Sequence, residues 1–287
     1  SPPPDPIPDR IRGIPTAVIP RSSQEMLADT AKHRPLKGGS QARNEFVQVG
    51  QDDLVGTLGC LAEHVTTHDL VALSCEHVLL AGLGTLNTRV GQPRFSISCC
   101  CCTYNEIGKV TNAKKDPEVD CAIVLLDADI ATEVTSGGTR NTIEGIGTIT
   151  GVAQAVCFED VRKRGRTTEL TTGRVIDVLY EGSQILVHPT ATPTFAERGD
   201  SGAVIVNASD QVIGLLWATD SATRTKGVAN HIGPVMRGVN ILIPGAGDGG
   251  LTAWRASGRG VLSDFGGWVM LTVKSSGPTF SRSPSSA

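Results

Sequence analysis

Polar and apolar positions alternate along much of the chain in short runs bounded by Gly, Asn, Asp and Pro. Residues 53–61, 69–74, 104–110 and 119–126 read as a first set of strands. A second set follows at 148–158, 173–180, 184–188, 203–206 and 211–217. Between them, residues 127–146 carry polar and glycine signals such as Thr135-Ser136-Gly137-Gly138-Thr139 and read as a connection. Helical patterns are brief: one turn over 76–81, a closing helix over 234–239, and a turn over 23–33 with Ser23 as its cap. Asn240–Ile243 ends the second set. The pattern predicts a mainly-β chain of two successive barrels, 45–132 and 133–245, without internal repeats. A Pro-rich arm at 1–44 precedes them and an extension at 246–287 follows, ending in a Ser/Pro tail expected to be disordered.

Composition narrows the picture. With 33 Gly and 16 Pro among 287 residues the chain can afford many tight turns. Aromatic residues make up 4%, so the cores must be built from Val, Ile, Leu and Ala. The net charge is −3 and no basic stripe is visible, which argues against a nucleic-acid partner. No apolar run reaches the ~18 residues a bilayer span requires, and the mildly basic end after 250 is too weak to call a membrane partner. Nothing in the pattern fixes the oligomeric state.

Eight cysteines stand at 60, 75, 99–102, 121 and 157. Four in a row suit neither a disulfide framework nor a metal centre, because a strand splits adjacent thiols between two faces. Cys121 lies in an apolar run, where a thiol packs as a small hydrophobe. The expected setting is a reducing compartment, the cytoplasm, with no metal and no cofactor.

The candidate chemistry centres on Gly199-Asp200-Ser201-Gly202. Such a turn can aim the amide N–H groups of Gly199 and Ser201 at one point, where an oxyanion could sit. Alone it is only a turn. Two upstream stretches add to it: Leu73-Ser74-Cys75-Glu76-His77-Val78-Leu79, and Asp120 at the mouth of an apolar run. A serine hydroxyl needs a base, imidazole serves near neutral pH, and a carboxylate fixes its tautomer. Asp116, Asp127 and Asp129 are the rival carboxylates, placed in a turn or at the far end of the strand. His64, His68, His188 and His231 read as surface or core histidines, and His33 as a surface one. The order His–Asp–Ser differs from that of α/β-hydrolases and subtilisins, and Ala203 breaks the nucleophile-elbow pattern.

These stretches resemble the trypsin-like serine proteases, closest to a bacterial and plant subgroup that includes the narrow-leaf-type enzymes. The resemblance also rests on Arg34-Pro35-Leu36-Lys37-Gly38-Gly39-Ser40, Gly56-Thr57-Leu58-Gly59-Cys60-Leu61, Ile107-Gly108-Lys109-Val110, Arg162-Lys163-Arg164-Gly165-Arg166-Thr167-Thr168-Glu169-Leu170-Thr171-Thr172-Gly173 and Val228-Ala229-Asn230-His231-Ile232, in order over 34–243. It implies two Greek-key antiparallel β-barrels of the chymotrypsin-like kind and a serine endopeptidase acting on protein or peptide substrates. His77 would be general base, Asp120 its orienter and Ser201 the nucleophile, with Gly199 and Ser201 donating the oxyanion hole. Trp217, Ala218 and Thr219 would form the substrate-binding edge. Phe195 falls near the base of the primary specificity pocket, which suggests an apolar or small residue before the scissile bond.

The chain also departs from the subgroup. Glu169 stands where glycine is usual, Cys99–Cys102 replace a polar segment, and Cys75 precedes rather than follows the histidine, so a Cys60–Cys75 bridge is not expected. There is no Ile-Val-Gly-Gly start, so Asp200 needs a partner other than a newly cut N-terminus, and any control is expected from the arm or the tail. The basic run Arg162–Arg166 reads as a solvated hairpin face. Two rival functions use the same features: a non-catalytic peptide-binding module, and an esterase or acyltransferase with the same triad.

Overall fold

Two β-sheets hold nearly all the regular structure of the computed structural model, which describes residues 10–11, 14–15, 29–46, 54–97 and 103–245. A two-strand pair, β1 (Arg10–Ile11) and β2 (Ile14–Pro15), stands apart from them. The first sheet contains β3 (Gln41–Asn44), β4 (Gly56–Thr57), β5 (Leu61–His64), β6 (Leu70–Ser74), β7 (Arg89–Ile97), β8 (Thr103–Lys115) and β9 (Asp120–Leu126). These join in the order β5-β6-β9-β8-β7-β3-β4, a curled sheet. After the small pair β10 (Thr142–Ile143) and β11 (Gly147–Thr148), the second sheet takes β12 (Gly151–Val152), β13 (Asp160–Gly165), β14 (Glu169–Tyr180), β15 (Gln184–Pro189), β16 (Val204–Asn207), β17 (Gln211–Thr219) and β18 (Gly227–His231). Its six longer strands run β17-β16-β13-β14-β15-β18, and β18 pairs back onto β17, which closes a barrel. The mainly-β, two-barrel architecture expected from the sequence is therefore present, with the first member a half-closed sheet.

Burial explains the strands. β9 is buried along almost its whole length, as a central strand covered on both faces must be. β13 instead alternates, with Val161, Lys163 and Gly165 inward. One core cluster fills the first sheet and reaches the outer face of β16 and β17 through Val204, Val206, Val212 and Leu215. A second lies inside the closed barrel, where Val161, Val175, Ile185, Val187, Ile205 and Ile213 surround the one aromatic ring, Phe195. Both are aliphatic, as the aromatic content requires.

The structure departs from the sequence reading at several elements. Residues 127–146, read as a connection, contain the helix α2 (Ala128–Ser136), following the one-turn α1 (Glu76–Leu79) in chain order. Only Ile130 and Val134 of α2 are buried, so its apolar stripe is thin. Its Thr132, Thr135 and Ser136 hydroxyls donate to the carbonyls of Ala128, Ala131 and Thr132, which lets polar residues sit inside a helix. The strand expected over 148–158 is reduced to its first residues. The expected closing helix is α3 (Ile232–Val239), and β19 (Ile241–Leu242) then returns the chain to the first sheet beside β5. Residues 29–33 are not helical, while the rest of the expected turn at 23–28, Cys99–Cys102 and the extension after 245 lie outside the described residues. No described helix is long and apolar enough to cross a membrane.

Candidate active site

His77 stands on α1, directly after β6. Val78 and Leu79 of this turn are buried and anchor it, leaving the imidazole partly exposed. Asp120 opens β9, and its Oδ2 lies 2.8 Å from His77 Nδ1. The other oxygen, Oδ1, accepts the backbone N–H of His77 at 3.2 Å, so the carboxylate grips both ends of the residue. From the second barrel, Asn230 Oδ1 accepts the Asp120 N–H at 3.0 Å while its Nδ2 donates to Glu118 O. Burial pushes the Asp120 carboxyl up, but the hydrogen bonds from His77 and the charge of Lys115 outweigh it and hold it below its ordinary 3.8. Lys115 Nζ lies 3.7 Å from Asp120 Oδ2 and 2.9 Å from Glu76 Oε2. The rivals are elsewhere: Asp116 accepts the N–H groups of Glu118 and Val119, while Asp127 and Asp129 sit at the start of α2. His64 and His68 are occupied with Thr67 and Glu63, His188 with Pro189 O and His231 with Val178 O. His33, expected on the surface, is only 17% exposed because it packs between Asp29 and Glu144.

The turn bearing Ser201 is built on a buried carboxylate. Asp200 and Lys163 are both wholly buried, with Lys163 Nζ 3.0 Å from Asp200 Oδ2. Asp200 also accepts the N–H groups of Thr167 (2.8 Å), Thr168 (3.1 Å) and Glu197 (3.0 Å), and the Thr168 hydroxyl (2.6 Å). Burial pushes the Lys163 ammonium below its ordinary value, opposed by Asp200. Lys163 is thus the other partner that Asp200 was expected to have. This corrects the reading of Arg162–Arg166 as a solvated face, because strand alternation turns Lys163 into the barrel. A Cβ at Gly165 would lie 2.4 Å from Asp200 Oδ1, so only glycine leaves room for the carboxylate. Glu169 adopts φ +52°, the left-handed geometry that the usual glycine would supply.

The amides of the turn divide in two. Those of Asp200, Gly202 and Ala203 donate to Glu197 O, Leu216 O and Asp200 O. Those of Gly199 and Ser201 have no acceptor among the described residues. The Thr167 hydroxyl donates to Arg198 O at 2.6 Å. A trans peptide is planar, so holding that carbonyl toward Thr167 turns the Gly199 N–H the opposite way. Gly199 has φ +94°, and a Cβ there would meet Thr167 Oγ1 at 2.4 Å. Thr57, wholly buried, joins the two sheets here. Its N–H donates to Ser201 O, its hydroxyl to Gly199 O at 2.8 Å, and its Oγ1 accepts the Arg166 N–H at 2.9 Å. Thr57, Lys163, Thr167 and Asn230 were not singled out from sequence, where a basic run reads the same whether it faces water or the core.

His77 and Ser201 line the same cleft, of about 440 Å³. Leu54 and Val55 form one wall, and Ala196–Gly199 and Leu216–Thr219 the others. Strand β16 stops pairing with β17 at Leu215, so Trp217, Ala218 and Thr219 keep one open edge. Ser201 Oγ donates to Trp217 O at 3.0 Å, and His77 Nε2 makes no hydrogen bond among the described residues. Phe195 does not line the cleft. It is wholly buried in the second core, its ring 2.5 Å from where a Cβ on Gly227 would stand and 2.8 Å from one on Gly173.

Cys75, His77 and Asp120 bring potential metal-ligand atoms within 4.8 Å of one another. The donor set suits a metal poorly. Burial and the nearby Asp120 push the Cys75 thiol well above its ordinary 9.0, and its Sγ donates to Leu216 O, while the other two residues already bond each other. Cys60, Cys75 and Cys121 are buried and free, so Cys60 and Cys75 are not bridged; Cys157 is free and exposed. Burial raises the Cys60 thiol to about 12, and burial with Asp120 does the same for Cys121.

Among solved structures the chain is similar to protease A of Thermobifida fusca, at 17% identity over 73% of this chain and 98% of that one, with a TM-score of 0.48. It is similar to Nocardiopsis protease at 17% identity, 72% and 98% coverage and a TM-score of 0.49. A glutamic acid-specific serine protease matches at 16% identity, 72% and 99% coverage and a TM-score of 0.49. No protein family matches the chain, and neither does any curated protein.

Proposed function

We propose that the protein is a serine endopeptidase in which His77, Asp120 and Ser201 act as a triad beside an oxyanion hole formed by the N–H groups of Gly199 and Ser201. The observation that carries this reading is the joint placement of a buried carboxylate on His77 Nδ1 and a serine turn with two undonated amides in one cleft. With Nδ1–H given to Asp120, Nε2 is the lone-pair nitrogen that can take a proton from Ser201. Rotation about the Ser201 side-chain torsion would exchange the Trp217 carbonyl for that nitrogen. The hydroxyl oxygen would then attack a peptide carbonyl, and the two amides would receive the developing oxyanion. The acyl side of the substrate would pair with the open edge at 217–219 as an added strand. The free buried thiols accord with a reducing compartment.

The test is labelling by a serine-reactive phosphonate together with cleavage of a peptide library. The wild-type protein is expected to be labelled at Ser201 and to cut peptides, whereas Ser201→Ala and His77→Ala do neither. The outward hydrogen bond of Ser201 to Trp217 O favours one second reading, a peptide-binding module with an idle hydroxyl. Peptide binding without labelling would select that reading. Labelling with turnover of simple esters but not peptides would select an esterase or acyltransferase.

A further inference from the structure

We propose that Arg166 forms an anion-recognising subsite on the leaving-group side of the cleft, so that peptides with Asp or Glu just after the scissile bond are preferred. The path of the peptide rests on the proteolytic reading above; the recognition of a carboxylate rests on Arg166 itself.

The cations of this hairpin are otherwise paired. Arg162 meets Asp210, Lys163 meets Asp200, and Arg164 meets Asp29 and Glu169. Arg166 has no carboxylate within ion-pair distance among the described residues, although it is partly buried. Its side chain is nevertheless held. Nε donates to Gln41 Oε1 at 3.0 Å, and Gln41, itself buried, is fixed by donating from Nε2 to Pro93 O at 2.9 Å. That leaves the two terminal nitrogens of a rigid, planar fork, the geometry that takes a carboxylate through two parallel hydrogen bonds.

Location supplies the rest. Arg166 Nη1 lies 2.9 Å, and Cδ 3.1 Å, from where a Cβ on Gly199 would stand, so the guanidinium rests against the backbone of the serine turn. Its own N–H is tied to Thr57, two residues beyond Val55 on the cleft wall. The open edge at 217–219 belongs to β17 of the second sheet, whereas Leu54 and Val55, which line the same cleft, immediately precede β4 of the first. A peptide whose acyl side pairs with that edge sends its other half past Leu54 and Val55, beside Arg166. Glu197, the acidic residue on the cleft, accepts the Thr194 hydroxyl at 3.1 Å and carries its N–H to Asp200, so it is engaged away from Arg166.

The test measures binding first and cleavage second. Fluorescein-labelled octapeptides of alanine carry Asp, Asn or Lys at one of the three positions after the fourth residue. Their affinity for the Ser201→Ala protein is read by anisotropy, which needs no catalysis. The Asp peptides are expected to bind about tenfold more tightly than their Asn counterparts, the worth of a charge-assisted pair at a half-exposed site. Arg166→Gln in the same background should erase that difference, and Arg166→Glu should reverse it toward Lys. Equal affinities of Asp and Asn peptides, or no binding at all, overturn the inference even if both variants misfold. Cleavage by the Ser201-containing protein is scored separately: cutting without an acidic preference leaves the proteolytic reading standing and this one refuted.

Discussion

At the scale of single residues, the serine turn depends on a charge pair that water cannot reach. Lys163 and Asp200 are both wholly buried, and Asp200 organises the N–H groups of Thr167, Thr168 and Glu197. Removing one member of such a pair strands the other, at about 3–5 kcal/mol. Lys163→Met should therefore lower unfolding stability by about that amount in urea titrations, and it should suppress phosphonate labelling of Ser201 under conditions where the protein remains folded. Stability unchanged within error would show that Asp200 is satisfied by its other donors alone. Thr167 offers a finer probe, because its hydroxyl donates to the Arg198 carbonyl. Thr167→Val keeps the shape and frees the Arg198–Gly199 peptide to turn. The expected loss is roughly tenfold to a hundredfold in kcat, with KM nearly constant, the signature of an interaction made in the transition state. Thr167→Ser should recover most of it; a rise confined to KM would contradict this role. Asp120, His77 and Ser201 stood out as candidates in the sequence because each chemistry-bearing side chain sits in a recognisable stretch. Lys163 and Thr167 did not, since a basic run and a pair of threonines look the same in sequence whether they face water or a buried carboxylate.

At the scale of elements, strands with a clear apolar run were legible, whereas β7, β13 and β18 were not read as strands. β9 declares itself by an unbroken apolar run, while α2 hid behind threonines that satisfy their hydroxyls on the preceding turn. The edge of β17 was expected from its spacing after Ser201, but what shapes its end lies in the following loop. There Asp220, almost fully buried, accepts the N–H groups of Thr223, Thr225 and Lys226, and the Thr223 hydroxyl. Burial pushes its carboxyl up, yet these donors outweigh it and bring it from 3.8 down to about 2. The loop in turn presents Thr225 O to the Phe195 N–H at 2.7 Å, so it also braces the segment that leads into the cleft at Ala196. Because the folded-state value is depressed, the stabilisation is complete above the ordinary 3.8 and disappears as pH falls toward about 2. The difference in urea midpoint between wild type and Asp220→Asn should stay constant from pH 7 to 5 and then narrow steadily below pH 4. A difference that holds its full size at pH 3 would remove Asp220 as the source.

At the scale of the whole molecule, the two sheets meet around the site, and the segment before β3 ties them together from outside. His33 N–H and Arg34 Nη1 donate to Gln92 Oε1 on β7, and Gly39 N–H donates to Leu58 O, all in the first sheet. Asp29 reaches the second: its N–H donates to Arg166 O at 2.7 Å, and its Oδ2 lies 2.9 Å from Arg164 Nη2. Any control was expected from the N-terminal arm or the tail, and among the described residues of the arm this segment has a physical route to the site. Arg164 and Arg166 flank Gly165, whose missing side chain makes room for Asp200, so this hairpin packs directly against the carboxylate that precedes Ser201. The Asp29–Arg164 pair is 7% and 13% exposed, dry enough for its coupling to exceed that of a surface pair. Burial raises the Asp29 carboxyl, but Arg164, the Ala31 N–H and His33 together hold it below its ordinary value. A double-mutant cycle of Asp29→Ala and Arg164→Ala should give a coupling of about 1–2 kcal/mol at neutral pH. With a depressed folded-state value, that coupling is present above the ordinary 3.8 and fades as pH drops below it. The same variants should expose the chain near residues 29–34 to limited proteolysis by an added protease and slow the phosphonate reaction at Ser201, because the freed hairpin no longer steadies the turn. Single-variant effects that add to within about 0.3 kcal/mol would mean that the segment merely covers the two sheets and transmits nothing to the site.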